Sequence, residues 1–269
     1  MSGAPPGSTG SVPVVARDIV LEVSEVAVQF GGVRAIDDAS LVVGRRELVG
    51  VIGPNGAGKT TLFDVISGFR RPTRGRVELD GADVTGRSVA WRARHGIRRT
   101  FQRQQVFGAL TVRENLLAAV EGDRMRGGVV VDLVGLSSRR SGASRQAQRV
   151  DDVLELCDLG AMRDVPAGSL PIGAARMLEL GRALVHEPRV LLLDEPTSGL
   201  GEAEAAAMST ALRAYLADHE CGVVLVEHDV GFVMDHCDRI VVLNLGAVLA
   251  AGPPDVVRAD PAVRAAYLG

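Results

Sequence analysis

Along residues 19–52, apolar and polar positions alternate in two runs, 19–28 and 39–43. Gly31-Gly32 separates them and Gly44 closes the second, a pattern that predicts strands joined by tight turns. The run 47–52 is apolar after Glu47 and predicts a buried strand, and Leu62, Val65 and Ile66 recur at helical spacing over 59–67. A short strand at 76–79 ends in Asp80-Gly81, a strong turn signal. From about 89 to 164 the pattern changes to helices and polar loops. Helices are predicted at 112–120 and at 145–159, where Val150, Val153, Leu154 and Cys157 share one face, so this part reads as a helical insertion. Within it, 122–144 has no clear period and reads as a flexible segment. The last third alternates helix 174–185, strand 189–193, helix 202–216 and strand 222–226, then strands 239–243 and 247–251 before short C-terminal helices. Such alternation predicts an α/β fold whose mainly parallel sheet is covered on both faces.

Chemistry collects at the ends of three of these strands. Gly53, Pro54, Asn55, Gly56, Ala57, Gly58, Lys59 and Thr60 match G-x-x-x-x-G-K-[ST] between a predicted strand and a predicted helix. Glycines there let backbone N–H groups turn toward a polyphosphate, and the helix N-terminus adds partial positive charge. Lys59 can reach β and γ oxygens, and Thr60 can ligate magnesium. The strand at 190–193 runs into Asp194-Glu195, at the edge of a parallel sheet where ligands bind. Asp194 suits a magnesium ion held through its water shell, and Glu195 suits an attacking water that must be oriented or deprotonated. The third strand ends in Glu227-His228-Asp229. His228 can donate to a γ-phosphate and Asp229 can cap the following helix.

Composition narrows the class. The chain has 269 residues, 46% hydrophobic and 23% charged, an ordinary globular balance with room for a well-buried core. A net charge of −3 and 3% aromatics give neither a phosphate-seeking field nor base-stacking platforms, which disfavours a nucleic-acid binder. The Arg-rich set Arg92, Arg94, Arg98, Arg99 and Arg103 reads as a solvated basic face. The apolar stretch 240–252 falls short of the ~20 residues that span a bilayer. The first 18 residues, with Pro5, Pro6 and several Gly and Ser, read as a disordered tail rather than a signal peptide, so a cytoplasmic chain is expected. Cys157, Cys221 and Cys237 lack C-x-x-C spacing and read as reduced, packed thiols, and the five scattered histidines suggest no metal cage. Among 30 basic residues Lys59 is the only lysine. Arginine serves everywhere except where a compact ammonium is wanted, and a guanine-reading N-K-x-D cannot exist, which excludes a GTPase. A P-loop kinase would need an acceptor pocket and a lid.

With these motifs in place, the chain from 19 to 269 resembles an ATP-binding-cassette (ABC) ATPase. The resemblance implies a P-loop NTPase fold: a RecA-like core, an antiparallel β subdomain, and a helical subdomain inserted at roughly 89–186. It implies ATP and Mg2+ as ligands. Thr100-Phe101-Gln102 resembles the family's glutamine loop, which makes Gln102 a ligand of magnesium and of the attacking water and a contact for the transmembrane partner. Glu195 matches the catalytic glutamate, His228 the switch histidine, and Phe30 the aromatic that stacks on adenine. The implied nucleotide-binding set is then Phe30, the loop from Gly53 to Thr60 with Thr61 beside it, and Gly173 through its backbone, with Thr60, Gln102 and Asp194 around the metal.

The stretches FGGVRAIDDAS, GIRRTFQ, LTVRENL, RVLLLDEPTSGL, VEHDV and PAVRAAYLG are similar to the ATPase subunits of branched-chain amino-acid importers. Urea or short-chain amide importers and the lipopolysaccharide-export ATPase are the alternatives, with a soluble ABC ATPase acting on nucleic acid as one from another class. The implied setting is the cytoplasmic face of the cell membrane. The implied partners are two transmembrane permeases, an extracytoplasmic solute-binding protein and a second ABC ATPase, with no nucleic acid. Two departures from the family pattern bear on that second ATPase. The signature Leu-Ser-Gly-Gly-Gln appears as Leu170-Pro171-Ile172-Gly173-Ala174, and Gly201 stands where Asp is usual. In the family, each nucleotide is held by one chain's phosphate loop and the other chain's signature. A heterodimer with an intact-signature partner is therefore expected ahead of a homodimer.

Overall fold

Three strands in which every residue is buried form the centre of the protein: β3 (Leu48–Ile52), β7 (Val190–Asp194) and β8 (Gly222–Val226). The structure is a computed structural model that describes residues 18–100, 106–124 and 136–268. With β6 (Ile97–Arg99), β9 (Arg239–Asn244) and β10 (Ala247–Gly252), the central strands make a six-stranded sheet in the order β10-β9-β3-β8-β7-β6. Its pairings are parallel except for the β9–β10 hairpin. A second, four-stranded antiparallel sheet contains β1 (Ile19–Phe30), β2 (Val33–Gly44), β4 (Arg74–Leu79) and β5 (Ala82–Asp83) in the order β2-β1-β4-β5.

The period-two alternation of strand side chains divides the core into two layers. Leu48, Ile52, Leu191, Leu193, Val223 and Leu225 point to one face and pack with helices α3 (Val112–Arg124), α4 (Leu136–Leu156), α5 (Ile172–Leu184) and α6 (Glu202–Asp218). Val49, Val51, Val190, Leu192, Val224 and Val226 point to the other, toward helix α1 (Lys59–Ser67) and the antiparallel sheet. The remaining helices are α2 (Val89–Arg94), α7 (Val230–His236), α8 (Pro254–Ala259) and α9 (Pro261–Leu268). The sheet is thus covered on both faces, as the alternation implied. The three thiols are free and buried, and burial raises each to a pKa of about 12.

Several elements depart from the sequence reading, each for a local reason. β2 begins at Val33 rather than 39 and carries Asp38 in the left-handed region (φ 65°). β1 carries Glu25 likewise (φ 51°), with register shifts around it, so bulges break the alternation that marks a strand. The expected helical insertion from about 89 includes β6, whose Ile-Arg-Arg sequence looks polar but pairs with β7 as the edge of the parallel sheet. α3 runs on to Arg124 and α4 begins at Leu136, so the aperiodic segment 122–144 is helical at both ends, and 125–135 lies outside the described residues. Of the 18-residue tail only Asp18 is described, its carbonyl accepting from Arg45 N–H at 2.7 Å.

The expected basic face is divided, with Arg103 outside the described residues. Arg94 is exposed, but Arg92 is 1% exposed. Its guanidinium leaves α2 and donates to the carbonyls of Val65 and Ile66 (both 2.7 Å), Thr85 (3.0 Å) and Arg87 (3.3 Å). Burial lowers its pKa to about 10, still well above neutrality, so a cation sits at the C-terminus of α1, where orphan carbonyls and the helix dipole favour one. Arg92→Met keeps the bulk and removes every donor. It is expected to lower stability by about 2 kcal/mol or more, read as a reduced urea midpoint at unchanged slope.

Candidate nucleotide site

The site grows from the register of neighbouring strands. Val51 pairs with Val226, and Val226 with Asp194, so β3, β8 and β7 end in one row and the loops that follow them leave the sheet side by side. The loop after β3 approaches other backbone so closely that side chains are excluded. A Cβ on Gly53 would lie 2.2 Å from the Leu243 carbonyl oxygen, and one on Gly58 (φ 103°) 2.6 Å from that of Ala35. Ala57 N–H donates to Pro54 O, and Gly246 N–H of the β9–β10 turn donates to Ala57 O at 3.0 Å, which anchors the loop from behind.

Gly58 is the N-cap of α1 and offers no side-chain hydrogen bond, so the first turn's N–H groups keep their partial positive charge for a ligand. Asn55, Gly56 and Thr60 are exposed; Pro54, Gly58 and Thr61 are half-buried. Lys59 is 7% exposed, and its ammonium donates to Gly53 O (2.6 Å) and Pro54 O (3.1 Å). Burial lowers its pKa, while the nearby Glu195 and Asp194 pull it back up. An anion arriving here meets an ammonium already held at the mouth of the loop.

Asp194 ends β7 and is 5% exposed. Its Oδ2 accepts from Arg99 at 2.9 Å, and its Oδ1 is buried without a hydrogen-bond partner among the described residues. Such an acceptor-only atom suits a donor such as a cation's water shell, so with the exposed Thr60 hydroxyl the residues present fit a magnesium ion. Glu195 follows in the left-handed region (φ 50°), its N–H donating to Val226 O at 2.9 Å. That turn sends the two adjacent carboxylates in different directions, at a strain of about 1 kcal/mol. The Glu195 carboxylate accepts from His228 Nε2–H at 2.7 Å. His228, half exposed at 52%, therefore lies against Glu195, and a γ-phosphate would share it.

The structure thus gathers the loop, Lys59, Asp194, Glu195 and His228. Gln102 lies outside the described residues. Phe30 and Gly173 make their contacts elsewhere. Phe30, at the end of β1, is 43% exposed, with the Arg70 guanidinium 4.1 Å from its ring centroid. Gly173 lies in the first turn of α5, where a Cβ would meet Glu204 Oε1 of α6 at 2.2 Å.

Besides Arg92, sequence reasoning missed two buried charges beside the site. Arg99, assigned to the solvated face, has a side chain only 7% exposed that spans Asp64 Oδ1 of α1 (2.6 Å) and Asp194. Glu227 is 4% exposed at the end of β8. Its signal was present: a carboxylate directly following a strand of unbroken apolar residues needs partners when buried.

A profile described as "ABC transporter" matches residues 36–198, and one described as "Branched-chain amino acid ATP-binding cassette transporter" matches 247–269. The chain is 38% identical over 250 residues to the high-affinity branched-chain amino acid transport ATP-binding protein BraF of Pseudomonas aeruginosa, and 37% identical to LivG of Escherichia coli. Both alignments cover 93% of this chain and 98% of the relative. It is 31% identical to the lipopolysaccharide export system ATP-binding protein LptB of Haemophilus influenzae, over 93% and 97% of the two chains. Among solved structures, the ADP conformation of MJ1267, an ATP-binding cassette of an ABC transporter, superposes with a TM-score of 0.80. That likeness has 29% identity over 93% of this chain and 99% of the other.

The buried Arg99 bridge can be tested by itself. Arg99→Met leaves the buried Asp194 at the end of β7 without its cation, and the expected loss is about 3 kcal/mol of unfolding free energy, measured by denaturant titration.

Proposed function

From membership of the ABC transporter family, to which this chain belongs, we infer that it is the ATP-binding and ATP-hydrolysing subunit of an importer for branched-chain or closely related amino acids. The observation that carries the substrate class is the likeness to BraF and LivG along nearly the whole chain, joined by the separate match at the C-terminus. Lipopolysaccharide export rests on a more distant relative. Among the described residues no helix is long and apolar enough to cross a membrane. In this reading the transmembrane path belongs to separate permease chains, against whose cytoplasmic face this subunit docks.

In the reaction, backbone N–H groups of the Gly53–Thr60 loop and the α1 N-terminus bind the phosphates, and Lys59 exchanges the Gly53 and Pro54 carbonyls for β- and γ-oxygens. Thr60 and Asp194, with Gln102, would hold a magnesium ion, which would supply charge neutralisation. Glu195 takes the proton of the attacking water at Oε2, the oxygen that His228 does not engage, and His228 fixes the carboxylate's orientation. Phe30 stacks on the adenine and Thr61 lines the phosphate site.

The two nucleotide sites of the working dimer differ. A partner's nucleotide would face Leu170-Pro171-Ile172-Gly173-Ala174, which lacks the serine hydroxyl and the glutamine amide. Each lost charge-assisted hydrogen bond costs ~1.5–3 kcal/mol. This chain's own nucleotide receives the partner's signature, so the arrangement favours a second, different cassette with that signature intact. Two permeases and an extracytoplasmic solute-binding protein complete the complex.

Reconstituted in liposomes with such partners, the complex is expected to hydrolyse ATP faster when leucine and the binding protein are supplied. Unchanged hydrolysis, with stimulation by a different solute class, would replace the substrate assignment. Glu195→Gln is expected to keep Mg-ATP affinity while lowering turnover by about a hundredfold or more, and Lys59→Ala to weaken binding itself, both read by nucleotide titration and phosphate release. Turnover per site is expected to be higher for the mixed pair than for this chain alone, and equal turnover in a steady-state assay would remove the heterodimer.

A further inference from the structure

We propose that Glu227 is a positioning residue for hydrolysis, its buried carboxylate tying the loop that carries Glu195 to the strand end that carries His228. The proposal rests on the ATPase reading above and deepens it. Oε1 of Glu227 accepts from both Thr197 N–H (2.8 Å) and Thr197 Oγ1–H (2.7 Å), and Oε2 accepts from His228 N–H (3.2 Å). Thr197 is two residues beyond Glu195, in a loop that has two bonds within itself, Ser198 N–H to Glu195 O and Leu200 N–H to Thr197 O. Among the described residues, the hydrogen bonds that join this loop to β8 and the two residues after it are the Glu195 N–H···O=C Val226 bond, the Glu195–His228 pair and the two that Glu227 accepts from Thr197.

The need for such a tie follows from backbone strain. Glu195 sits at φ 50°, where a residue with a side chain stays only when its surroundings over-determine it. Without the Glu227 acceptors, Thr197 keeps two donors with no partner, and the loop can relax toward ordinary backbone angles. Relaxation would carry the Glu195 carboxylate away from His228 and from the water it must activate. Nucleotide binding uses the loop after β3, which this tie does not touch, so the effect belongs in kcat.

The test uses the full-length chain, with phosphate release measured against Mg-ATP concentration. Glu227→Ala is expected to lower kcat at least about tenfold with KM changed less than about twofold. Glu227→Gln keeps an oxygen for Thr197 but turns an amide toward His228 N–H, and is expected to recover part of that loss. Thr197→Val removes one of the bonds and is expected to lower kcat by about threefold to fivefold. In a His228→Ala background, Glu227→Ala is expected to cost less than about twofold, because the geometry it protects is already gone. An unchanged kcat, a change confined to KM, or the same loss in the His228→Ala background would overturn the proposal. If Glu227→Ala does not fold, the Thr197→Val kcat decides in the same way. A wild-type chain without Mg-ATP hydrolysis would overturn the ATPase reading and the proposal together, whereas hydrolysis indifferent to residue 227 overturns the proposal alone.

Discussion

β3, β8 and β7 end level with one another, and the loop of Lys59, the Asp194-Glu195 pair and His228 all leave the sheet at those ends. In a parallel sheet, hydrogen-bond register sets how far each strand projects beyond its neighbours. Shifting β7 by one residue against β8 would also turn its apolar set to the wrong layer. The separation of the core into two layers therefore fixes the site. Leu191 and Leu193 belong to the helical layer and Leu192 to the other, and reversing them would set apolar residues against the wrong partners. Chemistry at the strand ends inherits its geometry from packing several residues away.

Buried charge does a second part of the positioning, concentrated on α1. That helix has no side-chain cap at its N-terminus, where a phosphate would supply the missing acceptors, and is closed at its C-terminus by Arg92 and by Gly68 in the left-handed region. Arg99 then ties Asp64 of the same helix to Asp194 of the sheet. Each guanidinium is costly to bury and each is surrounded by acceptors, so the net gain in stability is small while the cost of misplacing the helix is large. The result is a helix whose open end is aimed and whose closed end is held.

Much of this was legible in the chain and some was not, and the difference has a physical basis. β3, β7 and β8 are runs of apolar residues bounded by turn signals, and the phosphate loop lies between a strand and a helix where its pattern has meaning. Thr111 and Glu114 close a capping box at the start of α3, a T-x-x-E pattern that the sequence reading passed over. Long-range pairing of charge leaves no such pattern. Arg92 and Arg99 read as surface residues because their acceptors, Val65 and Asp64, stand about thirty positions away in sequence, and Thr197 stands as far from Glu227. β6 was hidden by the same effect: its arginines read as solvated, while the strand is defined by its neighbour rather than by its own periodicity.

The two departures from the family pattern meet in space. Ile172, standing in the altered signature, lies against Gly199 of the loop after β7, where a Cβ would be 3.2 Å from the Ile172 Cδ1. One residue further, Gly173 faces Glu204, whose other oxygen accepts from the N–H of Gly201, the position where an aspartate is usual. A larger residue at 172 thus lies over a glycine in the left-handed region, and Glu204 accepts from the Gly201 N–H while residue 201 has no side chain to cap the first turn of α6. Restoring one member alone would leave the other fitted to a partner no longer there. The alteration is a single packed unit, its members coupled through contacts within this chain.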